Sequence, residues 1–212
     1  MAVSRSVDVA PERITRWIDG FVARHGEYMA SATPTALTLR ADDGAVAVLE
    51  PPFMPIADGG GSPVDDFVAH ALASRRIGVL LVRLGGYAAG VFHGRELVAS
   101  KVGSRPVHGR SAAGGWSQQR FARRREGQAR VALDAAADAA VAVLLRVAST
   151  LDAVVTGGDR QALRAVMGDV RLAELRPLVS ARVLDVPDPK ARVLRESIET
   201  ALAVRVSITD PA

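Results

Sequence analysis

The segment from Ile77 to Gly103 constrains this chain more than any other. Ile77–Leu84 is a nearly unbroken apolar run of strand length, bounded by the pair Gly85-Gly86, which suits a two-residue hairpin turn. Tyr87–His93 reads as a second strand, Gly94 as the next turn, and Arg95–Gly103 as a third strand. The result is a three-strand antiparallel meander. A loop from Ser104 to Gly115 leads into a long helix whose buried stripe would be Leu133, Ala137, Ala140, Leu144, Val147 and Leu151, spaced by three or four residues. Gly127 marks where its first part would kink or break. Further on, the pattern gives a strand at Ala153–Thr156, a helix at Arg160–Met167, a strand at Leu178–Val186, a helix at Pro189–Ala203 and a last strand at Val204–Thr209. An antiparallel meander followed by α/β units implies an α/β (α+β) fold: one mixed sheet with helices on its faces.

Upstream, Pro11-Glu12 opens a helix with Ile14, Trp17, Ile18, Phe21 and Val22 on one stripe, ending near Gly26. Thr35–Arg40 and Ala45–Glu50 alternate about Asp42-Asp43-Gly44 and read as a hairpin. The Pro- and Gly-rich stretch from Pro51 to Pro63 is the expected boundary. It divides the chain into a small N-terminal α+β module, residues 1–63, and a main domain, residues 64–212, which opens with a helix at Val64–Ser74.

With 49% apolar residues a substantial core is possible. The absence of cysteine excludes disulfides, thiolate catalysis and cysteine zinc sites, and fits a cytoplasmic protein. The N-terminus lacks the apolar stretch of a signal peptide. The most apolar long segment, Val131–Val147, carries Asp134, Asp138 and Arg146, so it reads as a buried amphipathic helix and no membrane role is expected.

Charge is informative once localised. Between Lys101 and Arg130 there are eight basic residues and one acid, Glu126, a net of +7 in a chain whose total is +4. Such concentration is what a polyanion-binding surface requires. Inside this window lies Gly114-Gly115-Trp116-Ser117-Gln118-Gln119, at the junction of loop and long helix. Paired glycines permit unusual backbone conformations and close approach of another chain. Ser117 suits a helix N-cap, and the free N–H groups of a first helical turn attract phosphate. Helical spacing sets Arg120, Arg123 and Arg124 on one face, joined by Arg125, and guanidinium forks match phosphate oxygens. Trp116 suits either stacking on a nucleobase or anchoring the loop. Amides do not titrate, so Gln118 and Gln119 would act by orienting water or a leaving oxygen. In the plainer reading the same residues are a flexible surface loop and a solvated basic helix face.

Other chemistries fall away. Gly115-Trp116-Ser117-Gln118-Gln119 lacks the last glycine of a nucleophile elbow, and no Gly-Lys-Ser/Thr of a Walker loop is present. His25, His70, His93 and His108 form no metal-spaced pair, although His108 lies in the basic loop. Gly157-Gly158-Asp159 reads as a tight turn, Asp42-Asp43 as a turn and Asp65-Asp66 as a helix cap. No cofactor or metal is implied.

From Gly114 to Arg125, set between a meander and a long helix, the chain resembles the Vms-like release factor family, in its actinobacterial peptidyl-tRNA hydrolase branch. The resemblance extends to Arg16-Trp17-Ile18-Asp19-Gly20-Phe21 and the hairpin, and so covers most of the chain. It implies an RNase-H-like sheet of the release-factor central-domain type, tRNA and the large ribosomal subunit as partners, and hydrolysis of peptidyl-tRNA during ribosome rescue. Gln118, third after Gly115, matches the family's catalytic glutamine. Trp116 and Ser117 intervene where the core motif has glutamine directly after the glycines, which leaves Gln119 as a second candidate. Gly114 and Gly115 would shape the loop, and Arg120, Arg123, Arg124 and Arg125 would hold RNA phosphates. Two other readings stay open: a non-catalytic ribosome- or RNA-binding protein using the same loop, and a nuclease of RNase-H type, for which no carboxylate cluster is evident.

Overall fold

The computed structural model describes residues 4–83, 85–105 and 117–211, with no side chains for 117–125. It divides into two compact units. Residues 1–74 with 199–212 form the first, and residues 75–198 the second. The division falls eleven residues beyond the expected boundary at 63/64. The reason is the helix Pro63–Leu72 (α2): its Phe67 and Ala71 are buried in the first unit's core rather than opening the second.

The first unit is built on a five-stranded antiparallel sheet. Its strands are Ser4–Val9 (β1), Tyr28–Thr33 (β2), Ala36–Ala41 (β3), Val46–Glu50 (β4) and Val204–Thr209 (β10), in the order β1-β10-β4-β3-β2. The hairpin is present as β3 and β4, with Leu39 opposite Ala47. The final strand was expected in the mixed sheet. Instead it lies between β1 and β4, where Val204, Val206 and Ile208 are buried, so the chain's end completes its beginning. Helix Ile14–His25 (α1) buries Ile14, Ile18 and Phe21 in the same core and stops at Gly26, whose φ of 84° suits a residue without a Cβ. The acidic pairs are structural. Ser62 caps α2 by accepting the Asp65 N–H, and Asp66 accepts N–H groups from Gly59 and Gly61.

At the β3–β4 turn, Asp43 accepts the Ala45 N–H at 2.9 Å and the Nδ1–H of buried His25 at 2.8 Å. The Ala45 bond first, and the His25 bond second, hold the Asp43 carboxyl below its ordinary range. Because its folded-state pKa is depressed, its contribution to stability is present above the unfolded carboxylate value, about 4, and is lost as pH falls through the lower folded value. Thermal unfolding followed against pH should therefore fall more steeply on acidification in the parent than in Asp43→Asn. Parallel curves would assign the acid sensitivity to other carboxylates.

The second unit carries the mixed sheet. Its strands are Arg76–Arg83 (β5), Gly86–His93 (β6), Glu96–Ser104 (β7), Ala153–Gly158 (β8) and Val179–Leu184 (β9), in the order β7-β6-β5-β8-β9. β5–β6–β7 is the antiparallel meander, and β5, β8 and β9 run parallel. This is the expected fold class, an antiparallel meander continued by parallel strands in one mixed sheet. β5 is central and Ile77–Val82 are all buried, which explains an apolar run with no alternation. Arg83 pairs with Gly86, so Gly86 belongs to β6 and not to the expected two-residue turn. Leu80, Val82, Tyr87, Ala89 and Val91 face one way, into a core shared with Ser117–Val143 (α3) and Arg160–Met167 (α4). On the other side, Leu194 of Ala191–Leu202 (α5) covers Gly90, where a Cβ would lie 3.0 Å from the leucine Cδ2.

Helix α3 runs unbroken through Gly127 but stops at Val143, short of the expected Leu151. Val147 and Leu151 still pack on the core from the 3-10 segment Leu145–Thr150 and the residue after it. The buried face of α3 consists largely of alanine (Ala132, Ala136, Ala137, Ala139 and Ala140), which lets the helix backbone lie close to the sheet. A further 3-10 segment, Val170–Leu178, precedes β9 and buries Leu172 and Leu175. No helix among the described residues is long and apolar enough to cross a membrane.

Candidate functional site

The basic loop leaves the sheet from a fixed point. At the end of the meander Gly86 pairs with Ser104, and the Arg105 N–H donates to the Gly85 carbonyl at 2.8 Å. Gly85 has a φ of 84°, a conformation that favours glycine. One pair earlier, Tyr87 lies across Gly103, where a Cβ would fall 2.5 Å from the tyrosine Oη. A side chain there would push the ring away and loosen the last rungs before the loop. The small residues around the β5–β6 turn thus fix where the basic segment departs.

This departure point lies at the carboxyl ends of the parallel strands, where open α/β sheets form their ligand sites. β8 ends in Gly158, with a φ of 105°, where a Cβ would lie 2.2 Å from the Val82 carbonyl oxygen. The next residue, Asp159, donates its N–H to that same oxygen at 2.8 Å and caps α4 by accepting the Ala162 N–H at 2.7 Å. The ends of β5 and β8 are therefore joined directly. An apolar groove of about 350 Å³ opens here between α3 and α4, lined by Val82, Gly85, Gly86, Ala132, Leu133 and Ala162. A more polar groove of about 620 Å³, lined by Arg83, Asp185, Asp188, Lys190 and Arg192, opens at the ends of β5 and β9. Its cations are partly engaged already: Arg83 donates to the Val186 carbonyl at 2.7 Å, and Arg192 pairs with Glu196 at 2.8 Å. Sequence reasoning did not single out these residues. Only the Gly158-Asp159 pair at a strand end signalled this place.

Of the residues expected to act, Gly114, Gly115 and Trp116 lie outside the described residues, as does His108. Ser117 is the first residue of α3, and Gln118, Gln119, Arg120, Arg123, Arg124 and Arg125 occupy its first turns, but their side chains lie outside the described set. The expected cap by Ser117 falls there too. Described side chains of α3 begin at Glu126, and the first buried one is Ala132. Among the described residues no three His, Asp or Glu side chains gather to hold a metal ion.

Residues 75–207 match the family described as Actinobacteria/chloroflexi VLRF1 release factor. No curated protein sequence matches the chain. Among solved structures, an archaeal translation termination factor, aRF1, aligns with 16% identity and a TM-score of 0.45 over 95% of this chain and 65% of its own. A second, described as an archaeal protein, aligns with 13% identity and a TM-score of 0.39 over 92% of this chain and 64% of its own. The chain thus spans slightly less than two thirds of the length of either.

Proposed function

We propose that this chain, which belongs to the Actinobacteria/chloroflexi VLRF1 release factor family, frees nascent peptides from tRNA on stalled ribosomes in the cytoplasm. Family membership gives it a release-factor-like role in translation. The finer reading is a peptidyl-tRNA hydrolase working with the large ribosomal subunit. The observation that carries it is that the family match takes in the one segment where paired glycines, two glutamines and the arginine cluster occur together. The catalytic part, expected at residues 64–212, falls in this reading to the second unit.

In this mechanism Gly114 and Gly115 let the loop enter a narrow RNA-walled site. Gln118 orients the attacking group, with Gln119 as the alternative. Trp116 and Ser117 set the distance between glycines and glutamine, and Arg120, Arg123, Arg124 and Arg125 neutralise phosphates. Helical spacing favours Gln118. Position 118 falls on the same line of α3 as the packed positions 132, 136 and 140, whereas 120, 123 and 124 fall on the opposite line. Position 125, seven residues on, falls on the line of 118, so in this reading one arginine stands beside the glutamine and three stand opposite.

Two bonds are open to such a site. Water placed by an amide can attack the ester joining peptide to terminal adenosine, a reaction the ribosomal centre itself supports. Alternatively, the amide can orient a ribose hydroxyl towards the phosphate just before the CCA end, with arginines stabilising the phosphorane charge. The arginine density favours the second route. Labelled peptidyl-tRNA, with and without large subunits, tests both. We expect release that depends on the subunit, leaving a tRNA that lacks its CCA. An intact CCA end would replace cleavage by ester hydrolysis. Tight binding without any release would replace the enzyme by a ribosome- or RNA-binding protein that uses the same basic loop.

A further inference from the structure

The first unit has a groove of its own, outside the matched residues 75–207. It runs between β1, an edge strand, and α1, and encloses about 560 Å³. Val9 and Phe21 are buried at its floor, and Trp17 is half-buried beside them. The Trp17 and Phe21 rings are nearly parallel, 17° apart with centroids at 5.8 Å. Phe21 thus backs one face of the indole and fixes its plane.

Two features of α1 have no explanation within the unit. Gly20 sits in the middle of a helix, where glycine weakens the helix relative to alanine. A Cβ there would meet nothing within 4 Å, so no packing within the protein requires it. The open space belongs to the groove, one helical turn from Trp17. Secondly, Arg13, Arg16 and Arg24 rim the groove, and among the described residues their guanidinium groups make no ion pair or hydrogen bond. Arg5 and Arg205 of the same unit, by contrast, are paired with Asp210 and Asp8. The unit as a whole is acidic, six arginines against twelve carboxylates, yet half of those arginines surround this one groove. Asp8 also lines the groove, with Arg205 beside it at 3.5 Å, so three arginines against one paired carboxylate make the lining cationic by placement and not by the unit's composition.

We propose that this groove binds single-stranded RNA, with a base stacked on Trp17 in the space left by Gly20 and flanking phosphates on Arg13, Arg16 and Arg24. A fixed aromatic plane with unpaired guanidiniums on both sides along a helix suits a flexible strand whose bases are free to stack. A duplex cannot offer an unstacked base to such a slot. All the residues lining this groove belong to the first unit, and the proposal does not rest on peptide release.

Trp17 reports on its own binding. In a full-length Trp116→Phe, Arg123→Gln, Arg124→Gln background it is the only tryptophan, and the other basic patch is weakened. Titration with a short oligouridylate should quench Trp17 fluorescence saturably. Replacing Arg13, Arg16 and Arg24 with glutamine should lower the slope of log affinity against log salt by about 2, at roughly 0.7 for each single-strand phosphate contact. Trp17→Leu should weaken binding roughly 5- to 150-fold. Because that change also removes packing on Phe21, Gly20→Met is the sharper variant. It fills the slot, improves the helix and should unfold no earlier than its parent, yet it should lose most of the binding. Unchanged affinity in Gly20→Met, or an unchanged salt slope in the arginine variant, overturns the proposal. Displacement of the signal by an acidic peptide but not by RNA also overturns it, and makes the groove a peptide site.

Discussion

Gln118→Ala is expected to abolish peptide release while leaving stability within about 0.5 kcal/mol of the parent. The stability half follows from position. Burial on α3 among the described residues begins at Ala132, fourteen residues later, and substitutions away from a packed core usually move stability by less than about 0.5 kcal/mol. The activity half follows from chemistry. An amide oriented towards a reacting group works by placement, and removing one such hydrogen-bonding group from a catalytic site costs about 10²- to 10³-fold in turnover. In the release assay a loss of that size reads as near-complete abolition. Gln119→Ala is the matched control, one residue along and on a different line of the helix. Release lost in Gln119→Ala and kept in Gln118→Ala would move the catalytic position by one residue. Release kept in both would remove glutamine from the mechanism. Binding to large subunits should survive in either variant, because the arginines that follow are untouched, and that separates a chemical defect from a docking defect.

How much of this was legible in the sequence depends on what holds each element in place. The meander, the parallel strands and the helices between them are driven by burial, and burial writes apolar residues into the chain at readable intervals. Ile77–Val82 is the clearest case, buried on both faces and apolar throughout. The strands β1 and β2 escaped notice for the opposite reason. Ser-Arg-Ser-Val-Asp-Val and Tyr-Met-Ala-Ser-Ala-Thr are edge strands whose side chains are mostly exposed, so their backbone partners β10 and β3 define them. The domain boundary shifted because Pro- and Gly-rich residues mark a turn and do not tell which core the next helix joins. That is settled by Phe67 and Ala71. Likewise, nothing local in Val204–Thr209 says that one of its partners, β1, lies some two hundred residues earlier. At the candidate site, the charge cluster and the paired glycines were legible as sequence. The convergence of Gly85, Gly158 and Asp159 at the strand ends is a product of topology and only the fold reveals it.

Gly158→Ala should therefore be among the most destabilising single changes in the second unit, by about 3 kcal/mol or more. Two independent costs coincide. The backbone at φ 105° lies in a region that residues with a Cβ rarely adopt, and the added methyl would sit 2.2 Å from the Val82 carbonyl oxygen, where no contact is tolerable. Relief requires β8 to move away from β5. Such a movement breaks the bond from the Asp159 N–H to Val82 and disturbs the cap of α4 at the same time. Gly127→Ala is the contrasting substitution. Gly127 lies within α3 and a Cβ there would meet nothing within 4 Å, so alanine should stabilise by about 0.5–1 kcal/mol through helix propensity alone. Urea unfolding of both variants measures the difference. A loss below about 1 kcal/mol in Gly158→Ala would mean that the ends of β5 and β8 part without cost, and the joined strand ends would no longer account for a fixed site. With the predicted loss, the joint is a structural requirement, and glycine at position 158 is explained by the backbone that has to pass there.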